Sequence, residues 1–86
     1  MELQEIIEQQ AQYVRNSHVA VDIQQSMPWV SIYEQGNESR GIFLQGHEAE
    51  QFMQAITDLS AQLQDCTYED LALSVAYPYT DLLSES

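Results

Sequence analysis

Apolar side chains recur every three to four residues near both ends of this chain and every second residue in its middle. Leu3, Ile6, Ile7, Ala11 and Val14 fall on one face of a helix predicted over 2–16, with Gln10 interrupting the stripe. Glu2, Glu5 and Glu8 occupy its first turns, where the positive end of the helix dipole favours carboxylates, and Arg15 suits the last turn. From His18 to Gln24 the pattern alternates, with Val19, Val21 and Ile23 against Ala20, Asp22 and Gln24, as in a half-buried strand. Pro28 has no N–H to give to a ladder, so it belongs ahead of the next strand.

Two further strands are predicted, Trp29–Glu34 and Arg40–Gln45, with Gly36-Asn37 marking the turn between them. Loop length decides which side chains share a face, because a slip of one residue turns a strand over. A two-residue loop would set Ile32 opposite Gly41 and Trp29 opposite Leu44. A three- or five-residue loop sets Ile32 opposite Ile42 and Val30 opposite Leu44. The longer loop is preferred, since it gathers Val30, Ile32, Ile42 and Leu44 with Val19, Val21 and Ile23 into a core. Trp29, Tyr33, Phe43 and Asp22 are then left on the opposite face.

The helical period returns over His47–Gln64, where Ala49, Phe52, Met53, Ile56, Leu59, Ser60 and Leu63 form one stripe. Thr67-Tyr68-Glu69-Asp70 resembles a capping box with Asp at the fourth position, and it opens a short helix from about Tyr68 to Ala76. Leu71 and Val75 are its inward positions, with Ala72 beside them. Pro78 biases Tyr77 out of the helix, which leaves 79–83 as a tail and 83–86 frayed. Short connections make the strands an antiparallel meander, so the expectation is one α+β domain over 1–86 in the order α-β-β-β-α-α. The first two helices are expected on the aliphatic face, and the third helix with its tail is one candidate cover for the aromatic face.

Charge changes the picture more than composition does. An apolar share of 44% is enough for a folded core, but 14 Asp and Glu stand against two Arg and no Lys, giving a net charge of −12 on 86 residues. Such a surface disfavours direct binding to nucleic acid or to an anionic membrane and favours a basic partner. No run of 18 apolar residues is present, and MELQEIIEQQ has no hydrophobic region of a secretory signal. The lone Cys66 cannot form an internal disulfide, and a cytoplasmic location is expected. Twelve Gln are scattered without forming a tract.

Candidate chemistry is sparse. His47-Glu48-Ala49-Glu50 has no second His or Cys at ligand spacing, so no metal is indicated, and His47 reads as a helix cap or an exposed residue. Cys66 has no basic neighbour in sequence to activate it and reads as structural. With no Lys, no phosphate-cradling glycine loop and no nucleophile–base pattern, neither an enzyme nor a cofactor is expected. The candidate binding residues are therefore acids and aromatics. Glu50, Asp58 and Asp65 recur at seven or eight residues, roughly 11–12 Å apart along a helix. Glu34 and Glu38 flank the hairpin turn. Glu48, Glu69 and Asp70 sit at helix N-termini, where partnering the helix dipole accounts for them equally well. Trp29, Tyr33 and Phe43 on one sheet face call for a cover: the last helix, a second copy of the chain in a homodimer, or a partner protein.

In length, acidity and absence of Lys, with acids at Glu34, Glu38, Glu50, Asp58, Asp65, Glu69 and Asp70, the chain resembles the small acidic anti-defence proteins of phages and mobile elements. Those are the anti-CRISPR and DNA-mimic antirestriction proteins. The resemblance implies a stoichiometric inhibitor that occupies the basic nucleic-acid channel of a host complex, steered there by charge and anchored by Trp29 or Tyr33. The α-β-β-β-α opening is also similar to type III secretion chaperones, which implies instead a dimeric adaptor that binds one partner through its hydrophobic sheet face. This chain lacks the later strands of those chaperones. A structural accessory protein is the third reading.

Overall fold

The computed structural model describes residues 2–84. The elements are α1 (Leu3–Asn16), β1 (Val19–Gln24), β2 (Trp29–Glu34), β3 (Asn37–Gln45), α2 (His47–Gln62) and α3 (Tyr68–Ser84). The three strands form one antiparallel sheet in the order β1-β2-β3, and the α+β architecture is the one expected. The expected fraying of 83–86 lies partly outside the described residues; within them, α3 continues to Ser84.

The aliphatic residues take the core, as the register argument requires. Val30 pairs with Leu44 and Ile32 with Ile42, while Val21 faces Ile32 and Ile23 faces Val30. Val19, Val30, Ile32 and Leu44 are buried against Ile7, Ala11 and Val14 of α1, Ala49, Phe52 and Ile56 of α2, and Leu71, Ala72, Leu73 and Ala76 of α3. All three helices thus contribute to the core on the same side of the sheet, and α3 does not cross to the other face. Gln10, the break in the α1 stripe, is only half-buried and accepts a 2.7 Å hydrogen bond from the Ser74 hydroxyl of α3.

Three boundaries differ from expectation. The turn is a tight Gln35-Gly36, with Glu34 opposite Asn37, and not a longer loop around Gly36-Asn37. The preferred register survives because β3 bulges. Between the pairs Glu34↔Asn37 and Ile32↔Ile42, β2 spans 32 to 34 while β3 spans 37 to 42. Gly36, at φ +88°, supplies the left-handed backbone that closes the turn. β3 accordingly begins at Asn37 and not at Arg40.

The second difference is α2, which ends at Gln62, two residues early. The third is α3, a single helix of 17 residues that carries Pro78 inside it and takes in the segment expected as a tail. Proline removes one helical hydrogen bond and crowds the preceding turn. Packing on both sides of it offsets that cost: Leu73 and Ala76 precede Pro78 in the core, Thr80 follows it and is buried, and Tyr79 meets Phe52 at 6.1 Å between ring centroids. The Thr80 hydroxyl also donates to the Tyr77 carbonyl at 2.7 Å.

The ladder phase follows from one bond. Gln35 donates its N–H to the His18 carbonyl at 2.8 Å, in register with the pairs of β1 and β2. Hydrogen bonding in an antiparallel pair alternates, so Ala20, Asp22 and Gln24 bond to β2. The N–H and C=O groups of Val19, Val21 and Ile23 point away from the sheet, along its open edge. His18 sits at φ +59°, ending α1 in the left-handed conformation that usually takes glycine or asparagine.

Candidate functional site

The face of the sheet away from the helices holds the aromatic set. Trp29 and Phe43 stack with ring centroids 6.3 Å apart and planes 3° from parallel. Phe43 stands opposite Ser31 in a non-hydrogen-bonded pair, where opposing side chains approach most closely, and Trp29 lies diagonally from it across β2 and β3. Phe43 is 51% exposed and Met27, just before β2, is 76% exposed. Trp29 is half-buried, yet it does not pack against the core cluster. Its cover is local: Gln24, Met27, Pro28 and Gln45 line with it a shallow groove of about 350 Å³.

Tyr33 completes the face. Its hydroxyl donates to Asp22 Oδ2 at 3.1 Å across β1 and β2. That hydrogen bond, then the charge of Asp22, desolvation and the charge of Glu38, raise the Tyr33 pKa above the usual phenol value. Asp22 is therefore part of this face, while Glu38, near the turn, adds only the smallest of these effects. Ser31 and Gly41 belong to it too, and neither stood out in the sequence. Ser31 is only 4% exposed, set between Trp29 and Tyr33 on β2. A Cβ at Gly41 would stand 3.1 Å from Phe43 Cζ and 3.2 Å from Tyr33 Cβ, so the missing side chain is what lets those rings lie close to the backbone. The signal was present in the alternation, since Gly41 is two residues before Phe43 and Ser31 two before Tyr33.

The acids do not form one array. Glu50 and Asp58 are exposed on α2, with Asp58 accepting a 2.9 Å bond from Gln54 one turn earlier. Asp65 lies beyond the end of α2 in the connection to α3, so it does not continue the helical stripe. Glu34 and Glu38 flank the turn at the far end of the hairpin and are exposed. Glu69 and Asp70 have an internal role that the sequence did not show. Arg15 of α1 donates to Asp70 and lies 3.5 Å from Glu69, tying the end of α1 to the start of α3. The Asp70 hydrogen bond is the main cause of a raised Arg15 pKa. Asp70 also donates its N–H to Thr67 Oγ1 at 3.1 Å, which is the helix cap expected there.

Cys66 sits in that same corner. Partial burial pushes its thiol pKa up, and the carboxylates of Glu8, Asp70 and Asp65 push it further, which is the opposite of an activated thiolate. His47 is exposed, with its Nε2 3.0 Å from Gln51 Nε2. Among the described residues, no group of three His, Cys, Asp or Glu side chains is placed to hold a metal ion, and no helix is long and apolar enough to cross a membrane. No protein-family model matches the chain, and neither a curated protein nor a solved structure does.

Proposed function

We propose that this chain is a non-enzymatic binding protein that docks on a basic protein surface through the aromatic face of its sheet. The observation that carries the reading is the one-sided arrangement of the helices, which leaves the Trp29–Phe43 stack in the open on the face that also holds Tyr33 and Asp22. Exposed aromatics set among carboxylates suit Arg and Lys side chains, which stack on the rings and pair with the acids. The net charge of −12 supports the same polarity and would speed encounter with a cationic target. A cationic nucleic-acid channel of a host defence complex is the target class that the acidity favours. In that case Glu34, Glu38, Glu50 and Asp58 act as substitutes for phosphates, while Glu69 and Asp70 contribute less because Arg15 already engages them.

The second reading is an adaptor or chaperone that uses the same face mainly for its apolar area, with the charge serving solubility. The 51% exposure of Phe43 and the 76% exposure of Met27 favour it. Capture of a partner at rising NaCl, with duplex DNA and RNA as competitors, separates the two. A channel-occupying inhibitor loses its partner steeply with salt and is displaced by nucleic acid. If the partner stays bound in high salt and nucleic acid does not compete, the channel reading is lost. Phe43→Ser should weaken capture under both readings. Unchanged capture by that variant would remove the sheet face from either.

A further inference from the structure

The two edges of the sheet are unequal. β3 is interrupted by the bulge between Asn37 and Ile42, which breaks the regular row of backbone groups that another strand would need. β1 is regular along its six residues, and the backbone groups of Val19, Val21 and Ile23 face outward with no further strand beside them among the described residues. A groove of about 430 Å³ runs beside this edge beneath the start of α3; Val19, Val21, Ile23, Tyr68, Ala72 and Leu73 form its apolar lining, and the ion-paired Arg15 and Glu69 also border it. Val21 and Ile23 are only half-buried in it, and Tyr68 is 52% exposed. On the opposite side of the same strand stands Asp22.

We propose that β1 accepts an extended segment of a basic partner protein as a fourth antiparallel or parallel strand. The added strand bonds to the outward N–H and C=O groups of Val19, Val21 and Ile23. Its alternate apolar side chains enter the groove beneath α3, and its intervening basic side chains lie beside Asp22. Charge complementarity selects this occupant over a second copy of the chain, because strand pairing between two copies would bring together two bodies each carrying a net −12. The basic character of the partner rests on the function proposed above, whereas the strand addition rests on the edge alone.

The test is amide hydrogen exchange of the full chain with a short blocked peptide alternating Lys and Val. Controls are the same peptide with Glu for Lys, and the Lys-Val peptide N-methylated at alternate residues so that one edge cannot donate. The Lys-Val peptide should slow exchange at Val19, Val21 and Ile23 by at least about tenfold, leaving Ala20 and Asp22 unchanged, while neither control does so. Val21→Pro should abolish the effect and keep the fold, since the Val21 N–H makes no bond to β2. Three results overturn the proposal: no protection, equal protection by the N-methylated peptide, or protection without peptide that grows with protein concentration, which would assign the edge to a second copy. A basic partner still lost on Phe43→Ser, with β1 amides unprotected, would remove the strand addition and leave the sheet-face reading intact.

Discussion

Val30 and Ile32, on one face of β2, have no exposed surface, while Phe43 on the other face of the neighbouring strand keeps half of its own. The same hairpin builds both faces, and what separates them is chemistry as well as cover. The covered face is aliphatic, closed by three helices and fixed by shape. The open face is aromatic and acidic, held by a ring stack and one cross-strand hydrogen bond, and its rings lie close over the small residue Gly41, which has no side chain to hold them off. A small domain has little stability to spare, so its core must be filled. An exposed aromatic face adds little to folding, and its natural use is contact with another molecule.

Substitutions on the two faces should differ accordingly. Ile32→Ala leaves a cavity that the helices cannot close and should cost about 2–5 kcal/mol, read as a lower urea midpoint. A loss below about 1 kcal/mol would mean that the aliphatic face is loosely packed. Gly41→Ala drives a Cβ against Phe43, Tyr33 and the Ile32 carbonyl oxygen, and should cost about 1–3 kcal/mol. It should also shift Trp29 fluorescence as the stack moves. Phe43→Ser, by contrast, should change stability by less than about 1 kcal/mol, since the side chain is half in water already.

The smallest effect is a pH dependence on the open face. The Tyr33 pKa is raised in the folded state, so its protonated form is the one that folding favours. That contribution is complete below the unfolded phenol value and is lost as pH rises through the folded one. Stability should therefore fall slightly faster in alkali for the wild type than for Tyr33→Phe, and ultraviolet titration should show one tyrosine ionising late. Identical alkaline profiles for the two proteins would mean that the Asp22 bond does not hold in solution.

The division of the sheet into these two faces was legible in the sequence, because alternation along each strand assigns residues to sides and burial of aliphatics selects the register. Part of what was hidden depended on residues far apart in the chain. Arg15 is 55 positions from Asp70, so nothing local marks Glu69 and Asp70 as engaged. Pro78 reads locally as a helix end, yet Leu73, Ala76 and Thr80 are buried on both sides of it and the helix continues. Asp65 fits a seven-residue spacing on paper, but α2 stops at Gln62, before the spacing can place it. The tight turn is not legible either, because the alternation fits extra residues in a loop as well as in a strand, and here they sit within β3 as a bulge.

The joining of α1 to α3 has a consequence for the way the chain reaches its native state. Ser74 reaches Gln10, Asp70 reaches Arg15, and Tyr77 meets Tyr13 at 5.3 Å between ring centroids. Because α1 precedes α3 by the whole sheet and α2, it must wait for nearly all of the remaining described residues before its partner helix exists. Until then its apolar stripe is only partly covered, and the strands can pair but lack part of their lid. Folding of this small protein should thus be completed late, in a step that closes one end of the chain onto the other.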